Sequence, residues 1–242
     1  MKNPKRNGSM SQPLPSLVPP SPDVMAMLFM EYRRSNKFKK MSFAQYLVSI
    51  GFTNPAEGLV GMDDSARFRA APAGPELIDV PTQAVVGEVR VKVLLADFSD
   101  RPGVLPAKHY EDLLFSQGLY PSGSMQDYYA EASLGKVRVT GSVHGWLRLP
   151  KPYAYYTNGN SGTTWGDYPR NAPRLAEDAV KAARAAGVKF EAGLDKFKQG
   201  IVTALIIVHA GRGAEVMPPN LRGREIWSHK WQLRNPVNVA PG

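Results

Sequence analysis

The stretch EVRVKVLLADF, residues 88–98, constrains the fold more than any other part of the chain. Val89, Val91 and Val93 alternate with charged residues, and the run then turns continuously apolar at Leu94, Leu95 and Ala96. Alternation sets one face of a strand against a core, and an unbroken apolar end calls for cover on both faces. A second apolar run, GIVTALIIVHAG at 200–211, reads as another buried strand, and KVRVTGSVHGWLRLP at 136–150 as a strand or hairpin.

Three helical patterns separate these runs. PAKHYEDLLF is short. GSMQDYYAEASLGK carries a capping box at Ser124 and Asp127 and a stop at Gly135. NAPRLAEDAVKAARAAGVKF is capped by Asn171, lines one side with Leu175, Ala179 and Val180, and ends at Gly187. The order strand, helix, helix, strand, helix, strand predicts an α/β (α+β) domain: a mixed sheet with helices packed against it.

Upstream the texture is different. Residues 1–20 are rich in Pro, Ser and Asn and read as a disordered leader. Pro22 opens a helix with Val24, Met25, Leu28, Phe29 and Tyr32 at helical spacing. Ser42 and Gln45 cap a second short helix whose Phe43, Leu47 and Ile50 share a face. Residues 53–87 are mostly turn-formers and read as a linker or irregular cover. The expected division is a leader at 1–20, a small helical segment and linker at 21–87, and an α/β domain at 88–242.

Composition narrows the chemistry. The chain has no cysteine, which removes disulfides, thiol catalysis and thiolate metal sites. Its net charge of +9 is concentrated in residues 1–40, where eight Lys or Arg face only Asp23 and Glu31. Such a leader attracts polyanions without reading sequence, so no specific nucleic-acid partner is expected. The longest apolar runs, VMAMLFM and ALIIV, fall short of the roughly 20 residues of a membrane span. After the basic MKNPKRNG comes SMSQPLPSLVPPSP, too polar and proline-rich for an export signal's apolar core.

None of His109, His144, His209 or His229 is followed by Glu, so the zinc-protease motif H-E-x-x-H does not occur in the chain. His209, Glu215 and His229 could be assembled into a ligand set, but their spacing matches no compact metal pattern. AGRGAE lacks the Lys-Ser or Lys-Thr of a phosphate loop. The aromatic run YAYYTNGNSGTTWGDYP suits either stacking on sugars and bases or packing on its own domain, and packing is favoured.

VLLADFSD, HYEDLLFS, GSMQDYYAEASLGKVRVTGSVHGWLRLP, YAYYTNG, NAPRLAEDAVKAA, IVHAGRGAE and IWSHKW follow one another over residues 88–231. Together they resemble the immune inhibitor A family of secreted bacterial zinc metallopeptidases, and PPSPDVMAML resembles the start of that family's propeptide. The resemblance implies a zincin-like fold, secretion, a protein or peptide substrate, and zinc that activates water while polarising the scissile carbonyl. It places the zinc helix after the WSH-W segment. The 242 residues are then expected to be a propeptide-like segment with the N-terminal half of the catalytic domain, inactive alone. The alternative is a non-catalytic binding module, or pseudoenzyme, on the same scaffold.

By position in the family pattern, His209, Glu215, Trp227 and His229 are candidates for the substrate side of the cleft. Asp97 and Asp100 are candidates for calcium. The calcium-loop-like stretch that often precedes HAG in the family reads LDKFKQG here, which argues against calcium at that position.

Overall fold

The computed structural model describes residues 22–49, 84–231 and 233–239, with Val48 and Pro219 through their backbone only, and residues 16–17, 67–71 and 74–78 through their backbone. Of the expected leader at 1–20, residues 1–15 and 18–20 lie outside the described residues, as do the expected N-cap at Ser21 and Ile50 of the second helical pattern.

A two-residue strand β1 (Ser16–Leu17) precedes helix α1 (Pro22–Arg34) and helix α2 (Phe43–Ser49). The two helices form a hairpin. Tyr32 Oη donates to the Met41 carbonyl at 2.8 Å, and the Ser42–Gln45 capping box closes as the sequence predicts. Strands β2 (Arg67–Ala71) and β3 (Gly74–Ile78) pair antiparallel, so the expected linker contains a hairpin. The Arg67-Phe68-Arg69 alternation was its only strand signal, amid prolines and glycines.

The body is a three-stranded sheet in the order β5-β4-β6, with β4 (Gly87–Asp97) central between β5 (Val137–Arg148) and β6 (Leu205–His209). Both pairings are parallel. The 137–148 stretch is therefore one long strand rather than a hairpin. Helices α3 (Ala107–Phe115) and α4 (Met125–Ala132) connect β4 to β5. Helices α5 (Tyr153–Thr157) and α6 (Ala172–Ala185) connect β5 to β6, travelling the opposite way across the sheet. Crossovers of one hand that run in opposite directions lay their helices on opposite faces.

That rule separates the two cores. Val91, Val93 and Leu95 pack with Val137, Val139, Tyr110, Leu114, Phe115 and Met125 on one face. Leu94, Ala96 and Phe98 pack with Leu175, Ala179, Val180 and Ala183 of α6 on the other. Each fully buried aliphatic or aromatic side chain contributes roughly 1.5–3 kcal/mol. At Gly141 an added Cβ would lie 2.4 Å from both the Phe115 ring and the Val91 carbonyl, so only glycine lets α3 approach β5 this closely. The predicted caps hold: Ser124 and Asp127 exchange hydrogen bonds at 3.1 and 3.0 Å, and Asn171 accepts from the Arg174 amide. This is the α+β, zincin-like arrangement the resemblance implied.

Helix α7 (Pro219–Arg222) and strand β7 (His229–Lys230) complete the described elements, and β7 pairs antiparallel with β1 through Leu17↔His229 and Ser16↔Lys230.

Candidate functional site at the carboxyl end of the sheet

Open parallel sheets present ligand sites beyond the carboxyl ends of their strands. Register gathers a polar set there: Asp97 is opposite Arg148, and Ala96 is opposite His209. His209 ends β6 and its ring lies 5.6 Å from that of Tyr153, tilted by 32°. Its Nδ1 is buried without a hydrogen-bond partner. Burial pushes the imidazole down to about 4, so it is neutral at physiological pH.

After β6 the chain loops out and returns, with the Ala214 amide donating to the Ile226 carbonyl at 2.9 Å. The loop seats Glu215 against Ser228, whose amide and hydroxyl donate to its two carboxylate oxygens at 3.0 and 2.5 Å. His229 donates through Nδ1 to the Trp227 carbonyl at 2.5 Å, which fixes its tautomer, and burial depresses its pKa as well. Thus His209, Glu215 and His229 share one neighbourhood. Trp227 is placed differently: its ring is buried against Val24, Leu28 and Leu47 of the N-terminal hairpin and Ala214 of the loop.

The residues do not fit a zinc ion. Glu215 is committed to Ser228, His229 Nδ1 is committed to a carbonyl, and among the described residues no three His, Asp or Glu converge on a metal position. The carboxylates considered for calcium are likewise engaged. Asp97 receives Arg148 through both oxygens, at 2.8 and 2.9 Å, and also the Gly103 amide; Asp100 accepts the Tyr153 amide at the start of α5. In the LDKFKQG loop, Asp195 accepts the amides of Gln199 and Gly200, closing the turn with its own backbone.

Sequence reasoning missed the supports beneath the loop. Arg101 donates to Glu225 at 2.7 Å while its guanidinium lies 4.4 Å from the Tyr153 ring centre. Tyr153 Oη accepts the Ile226 amide at 2.8 Å, and burial raises its phenol pKa. The available signal was position alone: Tyr153 heads the aromatic run, and Glu225 directly precedes IWSH. That run is mostly packing, with Tyr153 and Tyr156 wholly buried and Tyr156 donating to Asp178.

The family model for the immune inhibitor A peptidase M6 catalytic domain matches residues 104–242. Immune inhibitor A of Bacillus thuringiensis subsp. alesti is 31% identical over 188 residues, an alignment covering 62% of this chain and 27% of that protein. The pre-pro-metalloprotease PrtV of Vibrio cholerae serotype O1 is 35% identical over 144 residues, covering 52% of this chain and 15% of that protein. The chain thus spans about a quarter or less of the curated relatives it matches. It belongs to the immune inhibitor A peptidase M6 family of metallopeptidases.

Proposed function

We propose that this chain carries a propeptide-like segment at 21–87 and, from residue 88, the upstream half of a secreted zinc-dependent endopeptidase domain. The zinc ligands belong to sequence outside these residues, so the chain alone does not hydrolyse peptide bonds. His209, Glu215 and His229 shape the substrate side of the cleft, while Trp227, expected there with them, instead seats the N-terminal hairpin. The observation that carries this reading is the gathering of His209, Glu215 and His229 at the carboxyl end of the sheet, in a chain of a metallopeptidase family.

No catalytic step is assigned to the residues present. Their work is positional. Arg101, Glu225 and Tyr153 hold the return of the loop, Glu215 ties it to Ser228, and the neutral His209 lies beneath it. Such a wall orients an extended peptide without supplying the attacking water.

The test compares two proteins from one locus. The 242-residue chain with added zinc is expected to leave casein intact, and a longer reading frame containing H-E-x-x-H is expected to cleave it in a zinc-dependent way. Cleavage by the shorter chain overturns the proposal. So does a longer frame without that motif.

A further inference from the structure

The outer side of the α1–α2 hairpin combines two features that neither packing nor the proposed peptidase role uses. The first is charge. Arg33, Arg34, Lys37, Lys39 and Lys40 are all exposed at the turn between the helices, and no Asp or Glu occurs from Tyr32 to Ile50. Among the described residues, none of these five cations forms an ion pair. Arg33 and Lys39 instead lie over the Phe38 ring, at 4.3 and 6.0 Å from its centre.

The second feature is apolar. α1 buries Val24, Leu28 and Tyr32, one face at a spacing of four residues, against the hairpin and the body. On the opposite face Met27 and Met30 are 37% and 52% exposed. Residues three and four apart share a helix face, so Met27, Met30, Arg33 and Arg34 form one outer stripe, with the carboxylates Asp23 and Glu31 beside its apolar end and its cations in excess. It runs from apolar to basic and continues into Lys37, Lys39 and Lys40.

We propose that this stripe is a peripheral docking surface for an anionic lipid bilayer. The five cations meet the headgroup phosphates, and Met27 and Met30 enter the boundary between headgroups and acyl chains. Charge complementarity points to an anionic partner. The methionines decide between anionic partners: a nucleic-acid backbone offers them no apolar depth, whereas burial at a bilayer removes them from water. This docking is independent of the peptidase reading, because the hairpin is intact in the chain as it stands.

The experiment is flotation of the full chain with vesicles, at 50 mM and 500 mM salt. One set is pure phosphatidylcholine and the other is phosphatidylcholine with one-quarter phosphatidylglycerol. The chain is expected to float only with the anionic vesicles and only at low salt. Lys37→Gln/Lys39→Gln/Lys40→Gln should weaken partitioning on the order of 100-fold, at roughly fivefold per charge. Met27→Gln/Met30→Gln should weaken it roughly tenfold. All five residues are exposed, Lys37 and Lys39 also lie over the rings of Tyr46 and Phe38 at 5.0 and 6.0 Å, and far-UV circular dichroism checks the helices. The wild-type lipid and salt dependence stands even if a variant fails to fold. Absence of binding to anionic vesicles overturns the proposal. An unaffected triple variant also overturns it, because Lys2, Lys5 and Arg6 would then carry the binding. Vesicle binding indifferent to the methionine changes, with duplex DNA bound as tightly, makes the stripe a general polyanion surface and overturns the lipid assignment.

Discussion

The interior of the body and its junction with the N-terminal hairpin treat buried charge in opposite ways. Inside the body each buried carboxylate has two partners. Asp178 takes Tyr156 Oη at 2.8 Å and Arg174 at 2.9 Å, and Glu177 takes Tyr168 Oη and the Asn235 amide, both at 2.9 Å. At the junction the reverse holds. Arg222, which lies 5.6 Å from the centre of the Trp227 ring, has Nε and Nη2 buried without a hydrogen-bond partner. A buried carboxylate with both partners in place is costly to disturb, whereas a buried guanidinium that leaves donors unmet gains little beyond apolar burial. The difference predicts that the hairpin opens more readily than the body it packs against.

The largest effect that tests this contrast is Asp178→Ala. It strands the Tyr156 hydroxyl, which is fully buried, and removes the ion-pair partner of Arg174. Breaking a buried pair by removing one member costs about 3–5 kcal/mol. At roughly 2–4 °C per kcal/mol for a chain of this size, Tm should fall by about 10 °C. A loss near 1 kcal/mol would show that the interior is no more committed than the junction.

Next comes Leu28→Ala, at about 3 kcal/mol for a wholly buried leucine. The contrast predicts where that loss falls. Limited proteolysis and hydrogen exchange should show residues 22–49 opening while the sheet keeps its protection and its Tm. Cooperative loss of the whole molecule would mean that hairpin and body fold as one unit.

Acidification probes the body separately. His209 has its folded pKa depressed to about 4 from an ordinary 6.5, and His229 is depressed in the same direction. Below 6.5 the unfolded chain binds protons that the folded chain refuses, so stability is complete above that value and is lost as pH falls toward 4. For His209 alone the loss between pH 7 and pH 5 is about 2 kcal/mol. Urea titrations at the two pH values should show it, and His209→Gln should flatten the slope. An unchanged slope in that variant would place the sensitivity elsewhere.

What the sequence made legible follows from how local each signal is. Strands β4 and β6, helices α4 and α6 and their caps were readable, because alternation, apolar runs and Ser124, Asp127 and Asn171 act within a few residues. Strand β5 was ambiguous because Gly141 and Gly145 interrupt its alternation, and their reason is distant: Phe115 packs where a Cβ at 141 would sit. The grouping of His209 with Glu215 and His229 was foreseeable from a strand ending in a polar segment. The placement of Trp227 was not, since its partners Val24 and Leu28 lie some two hundred residues upstream. Arg101 and Glu225 were hidden for the same reason, being 124 positions apart.

The smallest effect is the most discriminating. Arg222→Met keeps an apolar chain beside Trp227, and the backbone role is untouched because the Arg222 carbonyl still accepts Ser161 Oγ at 3.0 Å. The change removes a guanidinium whose pKa burial pushes down, and with it two unmet donors, each buried orphan costing about 1–3 kcal/mol. Against that it forfeits a cation–π contact of about 0.5–1 kcal/mol and the pull of Glu31 on α1. The relieved orphans outweigh the lost contact, so urea denaturation should find the variant unchanged or more stable by on the order of 1 kcal/mol. Removal of Asp178 should do the opposite by several times as much. If Arg222→Met instead destabilises the chain by more than about 2 kcal/mol, the arginine has the strong partner that the contrast denies it. The junction would then be as thoroughly satisfied as the interior, and the hairpin would be part of the body.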